Sequence, residues 1–264
     1  MKTDVDISLC NCCSQTVVKK AIQVVGKTVW YSNLHQRRFV ETIELIKKYI
    51  DLIKSPRVLE VGSWPNYLTI ALHKMGAQVT ATDLEPERIK ILKQYNIPVV
   101  KIDLHHSQHL PLKSSYYDCI VFCEIIEHLD PQKITKIILR LKEVLKPDGV
   151  IILTTPNKFC LGNLLRFKIY GSKKTDKLGH GHWKEYSQKE IELHFENCGM
   201  KICESKLINF YSLIGKSNHN SYFYSIFSFL GYNNKLHNLF KIVSLPARSL
   251  IPVFRDSIAV VIKK

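Results

Sequence analysis

The sequence predicts an α/β fold in which helices cover both faces of a mostly parallel β-sheet. Short, continuously apolar segments alternate along the chain with longer amphipathic segments, and strands that are apolar throughout are typical of a parallel sheet buried on both faces. The chain has 264 residues, of which 45% are hydrophobic and 23% are charged. This composition provides a large core and excludes an intrinsically disordered chain or a small disulfide-bonded scaffold.

Apolar periodicity, proline and glycine set the bounds of the predicted elements. Helices are predicted over 35–53, 65–75, 86–95, 131–145 and 187–198. Seven strands are predicted over 57–62, 77–83, 98–102, 117–123, 150–154, 200–210 and 256–263. The segment Lys146-Pro147-Asp148-Gly149 is expected to end the fourth of these helices.

These elements divide the chain into four parts: an N-terminal segment over 1–34, a core domain over 35–210, a cap insertion over 211–255 and the final core strand over 256–264. The first residues include two acids where a signal peptide is apolar, and no apolar run reaches the length of about 18 residues that a spanning helix needs. We therefore expect a cytoplasmic protein without a membrane-spanning helix.

The formal net charge of +15 is concentrated in the second half of the chain. Residues 1–130 hold 16 Lys and Arg against 14 Asp and Glu, whereas residues 131–264 hold 22 against 9. A basic half favours an anionic partner, which nucleic acid, a phosphorylated substrate or an acidic membrane surface would each provide.

Polar residues follow three of the predicted strands. The first strand ends in the segment Glu60-Val61-Gly62-Ser63-Trp64-Pro65-Asn66, the second ends in Asp83, and Asp103 follows the third. In open α/β sheets, ligands bind at the carboxyl ends of the strands, and an acid that closes the second strand is the expected partner of ribose hydroxyls.

A longer series of motifs resembles the class I S-adenosylmethionine-dependent methyltransferases over roughly residues 35–210. The motifs are Glu60-x-Gly62, Asp83, Asp103, Leu110-Pro111-Leu112, Tyr117-Asp118, Glu127-His128-Leu129 and Leu145-Lys146-Pro147-Asp148-Gly149. The resemblance implies a Rossmann-like seven-stranded sheet with an additional N-terminal helix and a C-terminal cap. It also implies S-adenosylmethionine as cofactor, with these cofactor-binding residues: Glu60, Gly62 and Ser63 around the methionine part, Asp83 at the ribose, Asp103 and Leu104 at the adenine, and Cys123.

The glycine loop departs from the family pattern E/D-x-G-x-G-x-G, because Trp64 and Asn66 replace the second and third glycines. Glycine serves where the backbone has a positive φ or approaches a ligand closely, and asparagine tolerates the left-handed region better than tryptophan does. Either the loop takes another path, with Pro65 at the start of the helix, or cofactor binding is weakened. A methyltransferase fold that has lost its cofactor is the alternative.

A candidate metal site follows the fourth strand. Glu124, Glu127 and His128 are spaced at i, i+3 and i+4, so a helical turn would place them on one face, where they suit a divalent cation. Alternatively, the Glu-His pair orients the substrate or acts as a base without metal.

A second segment favours the metal. Thr155-Pro156-Asn157 and the later His182-x-x-Glu185-Tyr186 make the chain similar to the small-RNA 3′-terminal 2′-O-methyltransferases, which carry ExxEH, TPN and HxxEW motifs. This resemblance implies that Glu124, Glu127, His128 and His182 bind Mg²⁺ or Mn²⁺. A cation that bridges two vicinal hydroxyls lowers the pKa of the attacking one. Without metal, His128 or His182 is the predicted general base, and Glu127 completes the catalytic set.

Two other clusters are less specific. Cys10, Cys12 and Cys13 lack zinc-finger spacing, and we interpret their segment as reduced and partly mobile rather than metal-binding. His105, His106 and His109 lie on a polar loop, and we expect them to face solvent.

The cap insertion has three interpretations. It is rich in aromatic residues, and residues 206–264 carry eight Lys and Arg but one acid. We favour a cap packed over the acceptor site. The alternatives are an interfacial helix in peripheral contact with an anionic membrane and a stacking platform for single-stranded nucleic acid.

Together these observations predict methyl transfer from S-adenosylmethionine to an oxygen of a small-molecule or saccharide acceptor, including a lipid-linked one. The 2′-hydroxyl of an RNA end is the close alternative. A catalytically inactive adaptor that binds RNA or a membrane is the third hypothesis. The oligomeric state is left open.

Overall fold

The computed structural model describes residues 14–25, 33–106, 110–160, 182–210 and 255–264. The predicted cap, apart from its last residue, lies outside the described residues, and so do the three N-terminal cysteines and His109. None of the helices within the described ranges is long and apolar enough to span a membrane.

Seven strands form one sheet, as predicted. They are β1 Arg57–Val61, β2 Gln78–Asp83, β3 Val99–Lys101, β4 Tyr117–Cys123, β5 Leu145–Pro156, β6 Lys201–Phe210 and β7 Arg255–Lys263. Their order across the sheet is β3-β2-β1-β4-β5-β7-β6. The first five strands are parallel, and β7 is antiparallel to both of its neighbours, so the sheet is mostly parallel.

Helices cover both faces of this sheet. They are α1 Ser14–Val25, α2 Asn33–Tyr49, α3 Tyr67–Lys74, α4 Ile134–Val144 and α5 Gln188–Glu196. Successive residues of a strand point to opposite faces, so Val58 packs with α1, α2 and α3, whereas Leu59 packs with α4 and α5. The continuously apolar strands are therefore explained by two cores, one on each face of the sheet.

Helix α1 lies in the predicted N-terminal segment over 1–34, for which no element bounds were predicted. Its residues Val17, Val18 and Ala21 are buried in the same core as α2 and α3. Their spacing of i, i+1 and i+4 is that of one helix face, so α1 packs against the core domain.

Two predicted elements differ in type or length. The segment Pro86–Tyr95 forms a 3₁₀-helix rather than an α-helix, and its buried residues Ile89 and Leu92 are three apart, which matches the 3₁₀ period. The fifth strand is longer than the predicted 150–154, because Leu145 already pairs with Tyr117 across a bulge. Helix α4 thus ends at Val144, before the predicted stop signal.

Two neighbouring residues of α4 test this packing. Ile138 is 1% exposed in the core between α4 and the sheet, whereas Leu139 is 48% exposed. We expect Ile138→Ala to lower the free energy of unfolding by about 2–5 kcal/mol, because it removes buried methyl groups and leaves a cavity. Leu139→Ala should change it by less than about 0.5 kcal/mol. Urea denaturation of both variants measures the difference, and equal losses would contradict the assigned face of α4.

Candidate functional site

The loop that follows β1 lies at the point where the strand order reverses. Strand β1 pairs with β2 on one side and with β4 on the other, so the segments after these strands meet at one edge of the sheet. Gly62 has a φ of 71°, and a Cβ atom on it would lie 2.1 Å from Cδ1 of Ile125, which follows β4. The positive φ therefore favours glycine here, and the contact involves only the flexible side chain of Ile125.

Ser63 ties β1 to β2. Its amide donates a hydrogen bond of 2.8 Å to the Thr82 carbonyl, and its hydroxyl donates to the Glu60 carbonyl at 3.2 Å and accepts one from the Thr82 amide at 3.2 Å. Ser63 is 1% exposed, so its side chain holds the loop in place.

The rest of the loop leads through Pro65 to Asn66 at the start of α3. Asn66 has a φ of 74° and precedes α3 as its N-cap, as its tolerance of the left-handed region allows. The helix begins at Tyr67 rather than at Pro65, so the prediction that Pro65 starts the helix is wrong.

Glu60 is a buried carboxylate beneath this loop. It is 6% exposed, and its carboxylate accepts a short hydrogen bond from the Thr69 hydroxyl on α3. Burial raises the pKa of Glu60 to about 8, although the bond from Thr69 acts in the opposite direction.

The two aspartates predicted for the cofactor lie after β2 and β3 and hold their own turns. Asp83 accepts hydrogen bonds from the amides of Glu85 at 2.9 Å and Trp64 at 3.4 Å. Asp103 accepts from the amides of His105 and His106 and lies 2.8 Å from Nδ1 of His106. Burial opposes the ionisation of Asp103, but these hydrogen bonds hold its pKa below the ordinary value.

Leu104 is buried, whereas Cys123 is partly exposed, like the two aspartates. The Leu104 side chain is buried in the core that contains α4. It therefore belongs to the core beneath the site. Cys123 ends β4, and burial raises the pKa of its thiol to about 12. The nearby carboxylates of Glu124 and Glu60 raise the pKa of this thiol further. Cys123 therefore lies close to the carboxyl ends of both β1 and β4.

Glu127, His128 and His182 come together after β4. One potential ligand atom from each lies within 4.8 Å of the others, and the two imidazole rings meet edge to face with centroids 4.6 Å apart. Glu127 is 1% exposed and accepts a 3.0 Å hydrogen bond from the Thr155 hydroxyl. Burial, followed by the nearby charge of Glu124, raises the pKa of Glu127 well above its ordinary value.

The carbonyl of Glu127 also anchors the second segment of this cluster. It accepts hydrogen bonds from the amides of Trp183 at 2.7 Å and Lys184 at 3.3 Å. His182 is thereby held beside His128 although 54 residues separate them in the sequence. The structure thus brings together three of the four residues predicted as metal ligands.

The fourth predicted ligand, Glu124, does not join this cluster. Its backbone has a φ of 57°, so the helical turn expected from Glu124 onward begins only at Ile126. Its carboxylate accepts hydrogen bonds from Arg38 at 2.8 Å and from the Thr154 hydroxyl at 2.9 Å. The i, i+3, i+4 geometry predicted for this segment is therefore not formed.

Two residues of the site were missed by the sequence analysis. Arg38 lies on α2, 86 residues before its partner Glu124, and no local pattern indicates such a pair. Trp183 is 63% exposed beside the histidine cluster, and its adjacency to His182 was the available signal. Its ring lies 6.4 Å from that of His105, which is half-buried, whereas the side chain of His106 is 79% exposed, as predicted.

The fold and this site define a class I S-adenosylmethionine-dependent methyltransferase. The family described as "Methyltransferase domain" matches residues 34–205, and the chain belongs to this family.

Curated relatives share part of the chain. A "Ubiquinone biosynthesis O-methyltransferase" of Xanthomonas axonopodis pv. citri (strain 306) is 29% identical over 155 residues, which are 55% of this chain and 63% of that protein. A protein of the same name from Xanthomonas campestris pv. campestris (strain B100) is 34% identical over 107 residues, 39% of this chain and 44% of the relative. The matches therefore span less than two thirds of these relatives.

Solved structures share the fold. A SAM-dependent methyltransferase from Archaeoglobus fulgidus superposes with a TM-score of 0.57 at 20% identity and covers 89% of this chain and 100% of its own. A 1,6-didemethyltoxoflavin-N1-methyltransferase from Burkholderia thailandensis has a TM-score of 0.51 at 13% identity and covers 84% of this chain and 76% of its own. At these sequence identities, the likeness shows the fold alone.

The raised pKa of Glu60 predicts a pH dependence of stability. Between the ordinary value of 4.5 and about 8, the folded protein holds a proton that the unfolded chain has released, so stability falls as pH rises through this window. Glu60 contributes at most about 1.4 kcal/mol per pH unit to this slope. We expect Glu60→Gln to make the slope shallower, as measured by urea denaturation at several pH values. An unchanged slope would contradict the assignment.

Proposed function

We propose that the protein transfers a methyl group from S-adenosylmethionine to a hydroxyl oxygen of a small-molecule acceptor. The observation that carries this proposal is the pair of imidazoles, His128 and His182, held at the carboxyl edge of the sheet beside the loop after β1. The Xanthomonas relatives, by their names, methylate oxygen in ubiquinone biosynthesis, and this supports the choice of atom. A saccharide, lipid-linked or free, also presents hydroxyls of this kind.

The residues after β1 and β2 fit the proposed cofactor. The positive φ at position 62 suits glycine, and the buried carboxylate of Glu60 suits the positively charged methionine end. Each oxygen of Asp83 has a second lone pair, so this carboxylate accepts ribose hydroxyls while it keeps its turn. We place Asp103 at the adenine. When bound, S-adenosylmethionine supplies an electrophilic methyl group.

The histidines act on the acceptor. A neutral imidazole nitrogen accepts protons, so His128 or His182 takes the proton from the acceptor hydroxyl as its oxygen attacks. Glu127 lies within the same cluster, and its carboxylate is oriented by the Thr155 hydroxyl. The remaining acceleration comes from alignment of the oxygen with the methyl group for in-line displacement.

Trp183 favours a small acceptor with a flat apolar face. The Trp183 ring is exposed, and the backbone amide of this residue donates a hydrogen bond to the Glu127 carbonyl. This backbone contact sets the position of the ring next to the histidines. An exposed tryptophan beside a reactive cluster provides a surface for an aromatic ring or the apolar face of a sugar.

A second candidate is metal-assisted methylation of a vicinal diol, for which the 2′-hydroxyl of an RNA 3′ end is the sequence-based example. The specific observation is the convergence of one carboxylate and two imidazoles within 4.8 Å. Glu127, His128 and His182 would hold the ion, and a set of two imidazoles and one carboxylate suits a transition metal such as Mn²⁺ better than Mg²⁺, which prefers oxygen ligands. Glu124, which binds Arg38, lies outside this set.

Removal of an imidazole tests the first candidate. We expect His182→Gln to lower methyl transfer by about 100-fold or more, because a general base contributes about 10²–10⁴-fold. Its affinity for S-adenosylhomocysteine should stay within about twofold, since His182 acts on the acceptor. Radiolabelled transfer to a panel of catechols and hexoses measures the first quantity, and calorimetry the second.

The matched control is His73→Gln, which removes an imidazole from the C-terminal end of α3 at the opposite edge of the sheet. It should leave both quantities unchanged. If His182→Gln retained full transfer and His128→Gln lost it, His128 would be the base; if both variants retained full transfer, the assignment of the base to this pair would be wrong. If the unmodified protein bound no S-adenosylhomocysteine up to millimolar concentration, the catalytically inactive adaptor would replace the enzyme.

Metal dependence separates the two candidates. For the metal-assisted reaction, protein dialysed against a chelator should lose transfer and regain it with Mn²⁺ or Mg²⁺. Electron paramagnetic resonance should detect bound Mn²⁺, and Glu127→Gln should abolish this signal, whereas Glu124→Gln should retain it. Full turnover after chelation would exclude this candidate and leave the metal-free base.

A further inference from the structure

Asn66 has a buried side-chain oxygen without a hydrogen-bond partner. The residue is 3% exposed, and its Oδ1 atom receives no hydrogen bond. Asparagine is a favoured N-cap because its side chain can accept a bond from the first turn of the helix, but here it makes no such bond to α3. Capping of α3 by the side chain therefore does not explain why an asparagine stands at this position.

The neighbouring polar groups of the loop are already engaged. The Ser63 hydroxyl bonds to Glu60 and Thr82, and the carboxylate of Asp83 accepts bonds from two backbone amides. A buried acceptor without a donor is costly, and native proteins keep such groups mainly where a ligand or water satisfies them. Asn66 Oδ1 thus requires a donor from outside the chain's described contacts.

The position of Asn66 indicates the donor. Asn66 is the N-cap of α3, and Thr69, three residues later in the first turn, donates a hydrogen bond to the Glu60 carboxylate. One helical turn therefore carries the Asn66 oxygen and orients the buried Glu60, so that two acceptors border the loop after β1. A cationic group with several N–H donors is the kind of ligand that pairs with both an amide oxygen and a carboxylate.

We propose that Asn66 Oδ1 accepts a hydrogen bond from the ammonium group of the methionine part of the cofactor, together with Glu60. This inference rests on the proposed function, because it names a further residue for the same cofactor. The φ of 74° at Asn66 is one that glycine adopts freely and asparagine tolerates. Asparagine therefore keeps the backbone path of a glycine and adds a side-chain contact that glycine lacks.

Two ligands and two substitutions test the proposal. S-adenosylhomocysteine carries the ammonium group, whereas 5′-methylthioadenosine keeps the adenosine and sulfur but lacks the amino-acid part. We expect Asn66→Gly, which preserves the backbone conformation, to weaken S-adenosylhomocysteine by about 10- to 100-fold, the effect of one hydrogen bond to a charged group. The affinity for 5′-methylthioadenosine should not change. Asn66→Asp, which keeps an acceptor oxygen, should bind S-adenosylhomocysteine within about threefold of the unmodified protein.

Asn96→Gly is the matched control, because Asn96 also has a positive φ, of 53°, but precedes β3 at the opposite edge of the sheet. It should leave both affinities unchanged in calorimetric titrations, with thermal unfolding of each variant recorded in parallel. Unchanged S-adenosylhomocysteine binding by Asn66→Gly, or an equal loss of both ligands, would overturn the proposal. If the unmodified protein bound neither ligand, the proposed cofactor itself would fail.

Discussion

The parallel pairing of β1 with β4 is the constraint on which the site depends. Val58 is paired with Cys119 and Glu60 with Val121, so the segments that leave these two strands start side by side. The Ile125 side chain then packs directly against Gly62. A single pairing register therefore joins the loop assigned to the cofactor and the segment that carries the histidine cluster.

Burial of acids is the main energetic cost of this arrangement. Glu60 and Glu127 are both almost fully buried, and burial raises the pKa of each. Hydroxyl donors, Thr69 for Glu60 and Thr155 for Glu127, offset only part of the desolvation. A positively charged ligand would stabilise both carboxylates in their ionised form. Binding of such a ligand would therefore increase the free energy of unfolding of the protein.

The sequence was sufficient where local patterns determine the structure and insufficient where distant segments meet. Continuous apolar runs predicted all seven strands, and the acids at strand ends predicted the edge that carries the site. The left-handed turn at Glu124 was missed, because its partner Arg38 comes from a helix that is far away in the chain. Helix α1 was given no bounds, although Val17, Val18 and Ala21 share one helix face, because its segment directly follows the cysteine cluster that we interpreted as partly mobile.

The charge of the site differs from the charge of the chain, and this difference bears on the acceptor. The net charge is +15, yet Glu60, Asp83, Asp103, Glu124 and Glu127 all lie at the carboxyl edge of the sheet. Arg38 neutralises one of these acids. Burial raises the pKa of Glu60 and of Glu127, however, so this edge carries less negative charge in the free protein than its five acids suggest. In the proposed function, the acceptor is therefore selected by direct contacts with the histidine cluster and Trp183 rather than by long-range charge.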